Sequence, residues 1–336
     1  MPGATVTIAD VAAAAGVSVA TVSKVINDRY GVAEETSARV RAVIDQLGYT
    51  SSLVAQSLRS RRSNVIGILA ADIEAFNAEL LKGAAQAIRG TGYDLVVFSD
   101  CGRREDQIGW ERRALARVSS LTDGAILVTP STVDVALGAP LVAVDHNARS
   151  STLPTVDSDN LNGAVTATGH LISLGHRRIG FLAGRPDLES ARLREQGYRR
   201  ALEAAGIAFD PGLVRVGGYR AETAHDAARE LLSLAPRPTA IFAANDVSAI
   251  ETIAVARSLG IAVPDDLSVI GFDNVPESAL CVPPLTTVDQ SIQRLGQEAV
   301  RMLIDLIDHP DSRPSQVVLP TRLIERGSCR ALGDAP

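Results

Sequence analysis

Hydroxyl-bearing and small side chains crowd one short stretch, Val17-Ser-Val-Ala-Thr-Val-Ser-Lys-Val-Ile-Asn27. A helix that enters the DNA major groove by its N-terminal end needs such residues, because its backbone must come close to the bases. Ser18, Thr21 and Ser23 can bond phosphate oxygens, which positions a helix without reading sequence. Val19 and Ala20 fall on the exposed first turn. They can read a base only by apolar contact, for example with a thymine methyl. The plainer alternative is a surface helix decorated with Ser and Thr.

A second set of polar residues sits at the ends of apolar, β-rich runs. Asp145 follows Leu141–Val144, Asn245 and Asp246 follow Ala240–Ala243, and Asp273 follows Ser268–Phe272. Open parallel sheets bind ligands outside the carboxyl ends of their strands. Carboxylates and an amide there can accept hydrogen bonds from the hydroxyls of a polyol. Arg194, read as opening a helix after the run Ile179–Ala183, can donate a fork of hydrogen bonds. Loop capping is the competing role for each Asp.

Catalysis has no comparable footing. His146, His170, His176, His225 and His309 are scattered, with no Ser/His/Asp constellation, metal pair, phosphate loop or dinucleotide fingerprint. Cys101, Cys281 and Cys329 are odd in number and far apart, so neither a disulfide framework nor a metal site is expected, and a reducing compartment is. No metal or cofactor is expected, and the chain is not read as an enzyme.

These residues need elements to hold them. Thr7 is a candidate N-cap with Asp10 three residues on. Ile8, Val11, Ala12 and Ala15 then line one helix face. Gly16 supplies a turn, Ser18 caps a second helix with Val22, Val25 and Ile26 inward, and Asn27 and Asp28 end it. A third helix runs from Glu34 to Leu47, with Val40, Val43, Ile44 and Leu47 as its apolar face and Gly48 as its stop. Three short helices with a tight Gly turn form a helix-turn-helix domain. Ser51 to Arg59 is a further short helical stretch, and Arg61 to Asn64 a polar linker. From Val65 onward, continuous apolar runs alternate with helical stretches: Val65–Ala70, Leu95–Phe98, Ala125–Val128 and the four named above. Parallel sheets covered on both faces give that pattern. About 265 residues of it suggest two doubly wound lobes, with a crossing near Thr155–Asn162.

The 336 residues are 46% hydrophobic but only 4% aromatic, so the core is built from Ala, Val, Leu and Ile. The net charge of −6 argues against wholesale nucleic-acid coating. Its distribution is uneven. Residues 1–62 hold seven Lys and Arg against five Asp and Glu, a balance of +2, which leaves −8 for the rest. No apolar signal core opens the chain and no apolar run is long enough to span a bilayer, so a cytoplasmic protein is expected.

Several motifs together resemble one family. They are Thr7-Ile-Ala-Asp-Val-Ala, Ala15-Gly-Val-Ser, Thr21-Val-Ser-Lys-Val-Ile-Asn27 and Leu47-Gly-Tyr49. Further on come Leu174-Gly-His-Arg-Arg-Ile-Gly180, Ala191-Arg-Leu-Arg194, Ala244-Asn-Asp246, Val263 to Asp273 and Pro283-Pro-Leu-Thr-Thr-Val288. In that order, over nearly the whole chain, they resemble the LacI/GalR family of bacterial transcription regulators. The resemblance implies an N-terminal all-α helix-turn-helix domain and a two-lobed α/β sensor like the periplasmic binding proteins. It makes Ser18 to Asn27 the recognition helix and implies DNA contacts from Thr7, Ile8, Ala9, Ser18, Val19, Ala20, Thr21, Ser23, Lys24, Asn27 and Tyr49. A hinge helix follows, capped by Ser52 where the family has Pro-Asn at the hinge start. Ala55 is its small contact residue and Leu58 the minor-groove wedge. In the sensor, Asp145, Arg194, Tyr219, Asn245 and Asp273 match effector-contacting positions. The segment Asp72-Ile-Glu-Ala-Phe-Asn77 departs from the family's Asn-Pro-Phe-Phe and is one residue shorter, so no ligand contact is assigned to it.

The expected organisation is a DNA-binding domain at 1–50, a hinge and linker at 51–63, and an effector-binding domain at 64–330. Its first lobe is 64–159 with 290–318, and its second 160–289 with 319–330. The expected molecule is a homodimeric repressor that reads a pseudo-palindromic operator under control of a small effector, most simply a sugar. A short C-terminal end favours a dimer over a tetramer. The rival reading, a sugar-transport receptor, needs an export signal where this chain carries a DNA-binding head.

Overall fold

A computed structural model describes residues 6–26, 29–49, 62–100, 107–131, 139–146, 153–312 and 315–332. The chain divides into two compact units, Met1–Ser63 and Asn64–Pro336.

In the first unit, α1 (Ile8–Ala15) begins at a complete capping box. The Thr7 hydroxyl accepts from the Asp10 amide, while Asp10 accepts from the Thr7 amide at 2.7 Å. Two orphan donors of the first turn are thus satisfied together. Gly16 ends the helix at φ 67°, a left-handed conformation that glycine takes without strain. The Ser18 hydroxyl then caps α2 (Val19–Ile26), accepting from the Thr21 amide at 3.1 Å. α3 (Glu34–Leu47) has two acids in its first turn, which suits the positive end of the helix dipole. Val11, Ala12, Ala15, Val22, Val25 and Val40 form the buried core, with Ile8, Ile26, Val43 and Ile44 packed at its edge. Leu47 departs from its expected inward place. It is exposed, because the packing partners run out at the last turn of α3.

The second unit contains two parallel sheets. The first has the order β11-β5-β4-β3-β1-β2, built from β1 (Val65–Ala70), β2 (Asp94–Ser99), β3 (Gly124–Val128), β4 (Leu141–Val144), β5 (Thr155–Ser158) and β11 (Gln316–Leu319). The second has the order β7-β6-β8-β9, built from β6 (Ile179–Ala183), β7 (Val214–Val216), β8 (Ala240–Ala243) and β9 (Ser268–Ile270). β10 (Thr287–Asp289) and β12 (Arg322–Ile324) pair antiparallel beside it. Every residue of β1, β3, β4, β6 and β8 is buried, as parallel strands covered on both faces require.

Helices supply the covers. α4 (Ala75–Ala87) and α11 (Ile292–Asp308) lie on one face of the first sheet, and α5 (Gln107–Leu121) on the other. α6 (Asn160–Ser173) and α7 (Glu189–Ala204) cover one face of the second sheet, and α8 (Ala221–Leu232) and α9 (Asp246–Ser258) its opposite face. The seven apolar runs all become strands. Thr155–Ser158, expected as part of the crossing, is itself a strand, and the chain leaves the first sheet only at Asp159. It returns after β10 through α11 and β11, then crosses back to β12. α10 (Pro276–Leu280) completes the second lobe.

Candidate functional site

Loops at the carboxyl ends of both sheets meet around a cleft that opens to solvent, where an α/β sheet of this kind takes its ligand. Asp145, Arg194, Tyr219, Asn245 and Asp273, all five expected effector residues, line it. Asp145 follows β4 and sits at φ 52°, and Asp273 lies three residues past β9 at φ 121°. Arg194 does not open its helix as expected. α7 starts at Glu189, and Arg194 lies in its second turn, where the helix axis carries the guanidinium beneath the strand ends.

Arg194 is 3% exposed and heavily engaged. Nε donates to Asn160 Oδ1 at 2.9 Å and Nη1 to the Ala244 carbonyl at 2.5 Å. Nη1 also reaches Asp273 Oδ1 at 3.5 Å, and Nη2 reaches Gln290 Oε1 at 3.4 Å. The guanidinium lies 3.8 Å from the Phe272 ring centroid, within cation–π range. Asn245 has a double duty: its Oδ1 caps α9 at Ser248, and its Nδ2 donates to the Tyr219 carbonyl. Tyr219, at φ 65°, lays its ring over Gly184, where a Cβ would collide with it.

Charge here is set by burial. Desolvation pushes the Asp273 carboxyl up to about 7, against the opposing pull of Arg194. Asp145 is also raised by burial, again opposed by Arg194. Asp246, buried beside Asp273, is raised by desolvation and by that neighbouring charge; it bonds Thr287 and the Val275 amide. Asp145 and Asn77 line the cleft, and the Oδ1 atom of each is buried without a hydrogen-bond partner. Such orphans are costly unless a ligand or water satisfies them.

Several lining residues were not read from the sequence, among them Gln290, Asp72, Phe76 and Asn77. Gln290 donates to Asp273 Oδ1 at 2.5 Å and accepts from Ser158 at 2.8 Å, so it ties the crossing strand to the ligand wall. It directly follows β10, so the strand-end rule could have found it. The same rule applied to β1 would have found Asp72, Phe76 and Asn77, whose segment does line the cleft despite its unfamiliar pattern.

The other site lies in the first unit. Ala9, Ser18, Val19, Ala20 and Lys24 are exposed and Thr7 is as well, while Ile8, Thr21, Ser23 and Tyr49 are half-buried. Ile8 and Tyr49 pack at the edge of the core, so only part of each faces outward. Asn27, Ser52, Ala55 and Leu58 lie outside the described residues.

Residues 7–52 match the bacterial regulatory proteins of the lacI family, and 168–329 match a periplasmic binding protein-like domain. The HTH-type transcriptional repressor PurR of Haemophilus influenzae (strain PittEE) is 33% identical over 97% of this chain and 99% of its own length. The chain belongs to the lacI family. Among solved structures, a lac repressor dimer bound to operator and the anti-inducer ONPF superposes with a TM-score of 0.84 at 27% identity, over 98% of this chain and 100% of that one. A CelR–cellobiose complex gives 0.71 at 32% identity, over 96% and 99%. This lacI-family member is therefore a DNA-binding transcriptional repressor under small-molecule control. Among the described residues, no single helix is long and apolar enough to cross a membrane.

Proposed function

We propose that this repressor responds to a neutral polyhydroxylated effector, a sugar, held by Asp145, Arg194, Tyr219, Asn245 and Asp273. The observation that carries the reading is the pair of orphaned acceptors, Asp145 Oδ1 and Asn77 Oδ1, beside the buried Asp273. A ligand rich in O–H donors satisfies them. The cellobiose bound in the similar CelR complex is in keeping with that chemistry. Phe76 and Tyr219 on the same cleft favour a second reading, a planar nucleobase lying between rings. The protein is read as a cytoplasmic homodimer that binds a pseudo-palindromic operator through Val19, Ala20 and the surrounding hydroxyls, with Leu58 as a hinge wedge. No catalytic step is assigned to it.

A thermal-shift series with D-ribose, D-galactose, cellobiose, lactose, adenine and hypoxanthine tests the effector class. A ligand that binds only the folded state raises the apparent Tm. The polyol reading expects a rise with at least one sugar and none with the bases. A rise with a base alone overturns it in favour of the planar ligand.

A further inference from the structure

We propose that Arg185 is a further effector-specificity residue, carried on the second lobe and positioned from the first by Ser131 and Glu111. The inference rests on the polyol reading of the cleft but has its own structural footing.

Arg185 follows β6 and lines the cleft. Its guanidinium is fixed on one edge by Asp187: Nε donates at 3.2 Å and Nη2 at 2.6 Å. Nη2 also crosses between the lobes to the Ser131 hydroxyl at 2.7 Å. Ser131 lies just past β3 and is itself anchored. Its amide donates to both carboxylate oxygens of Glu111, at 2.9 and 3.1 Å, and Glu111 on α5 is only 6% exposed. Two committed edges leave the orientation of the guanidinium little freedom. Nη1 makes no hydrogen bond among the described residues, so it is the donor left for the ligand.

The chemistry of the partner follows. Asp187 already neutralises Arg185, so an anionic ligand gains little there, whereas a neutral oxygen can accept from Nη1. On the facing wall Asp145 Oδ1 needs a donor, and the Asp145 carboxyl is close enough to Arg185 to feel its charge. A hydroxyl both donates and accepts. One ligand hydroxyl can donate a hydrogen bond to Asp145 on the first lobe and accept one from Arg185 on the second. That contact spans the two lobes beside the Ser131–Arg185 bridge, so it links ligand choice to cleft closure.

The experiment uses the full chain with Arg185→Gln, Arg185→Lys, Ser131→Ala and Ser131→Thr. One arm needs no ligand. Hydrogen exchange is followed at the Ser131 amide and at the Glu189 amide, which donates across the lobes to the His146 carbonyl at 3.1 Å. Arg185→Gln and Ser131→Ala are expected to speed exchange at both several-fold through easier local opening. The double variant adds nothing further, because the two residues share one bridge. The second arm measures binding of the same four sugars. Arg185→Gln is expected to weaken the tightest-bound sugar by roughly tenfold, Ser131→Ala by less, and Ser131→Thr restores binding by returning the hydroxyl. Equal sugar affinities in wild type and Arg185→Gln overturn the specificity role. If no sugar binds the wild type, the polyol reading fails. The exchange arm then decides the positioning alone, and unchanged exchange in Arg185→Gln and Ser131→Ala overturns it.

Discussion

Asp273 shows how one buried residue can make a sensor respond to pH. An ordinary carboxyl titrates near 4, but burial pushes this one up to about 7. Between those values the folded chain holds a proton that the unfolded chain has lost, so this group lowers stability as pH rises through that window. Ligand hydroxyls donate best to the ionised form. On the proposed polyol reading, a bound ligand should therefore draw the Asp273 proton off, and effector affinity is expected to rise as pH goes from 6 to 8. Titration calorimetry near pH 7 in two buffers with different ionisation heats should show unequal heats and a proton released; identical heats would contradict the assignment. Asp273→Asn keeps the shape and should remove that difference. Truncation is harsher. Asp273→Ala and Arg194→Ala each lose charge-assisted bonds worth roughly 1.5–3 kcal/mol, about a 10- to 150-fold loss of effector affinity. Operator binding without effector should survive both, which a titration with and without effector checks. Arg194→Ala also strips a donor from Asn160, Gln290 and the Ala244 carbonyl, so it should cost stability that Asp273→Ala does not.

At the scale of elements, the close approach of α4 and α11 is the sharpest constraint. A Cβ on Gly83 would collide with the Gln293 carbonyl, and one on Gly296 with the Leu80 carbonyl. The two helices meet backbone to backbone at these glycines. Gly296→Ala must push them apart and should cost about 1–3 kcal/mol, which lowers Tm by roughly 2–4 °C per kcal/mol for a domain of this size. An unchanged melting curve would show that the helices can slide at no cost. Such a contact joins residues more than 200 positions apart, and nothing in local periodicity announces it. What local periodicity did announce was the element set. Seven strands were legible because each is a continuous apolar run, and all but the edge strand β2 are buried throughout. β5, β7, β10, β11 and β12 were not, since Thr155-Val-Asp-Ser158 or Arg322-Leu-Ile324 mix polar residues into short edges and crossings. The cleft was legible at Asp145, Asn245 and Asp273 because each follows such a run. Gln290 was missed because its strand was missed, and Asn77 because its segment lacks the family's pattern. Arg185 follows the run Ile179–Ala183, so the strand-end rule reaches it too; what no local pattern shows is its tie to Ser131 on the other lobe.

For the whole molecule, charge and linkage make the remaining claims testable together. The chain carries −6 overall, yet its first 62 residues carry +2. Attraction to DNA must then come from a few phosphate contacts and not from the bulk field. Counterion release makes such contacts salt-dependent, with log affinity falling linearly in log salt. Lys24, exposed in the last turn of α2, is one candidate, and Lys24→Ala should flatten the slope by about one unit. The second unit, Asn64–Pro336, has its own sheets and buried cores and should fold alone, bind effector and ignore operator. Comparing that fragment with the full chain isolates the coupling. If effector changes operator affinity by some factor, thermodynamic linkage requires operator to change effector affinity by the same factor. In the fragment, operator should change nothing. In the full chain, effector titrations with and without saturating operator should return the factor found from operator titrations with and without effector. A fragment that still feels operator would place the DNA-reading surface outside the helix-turn-helix unit. Linkage holds however many conformations the chain visits, so unequal factors would mean that one of the titrations had not reached equilibrium or saturation.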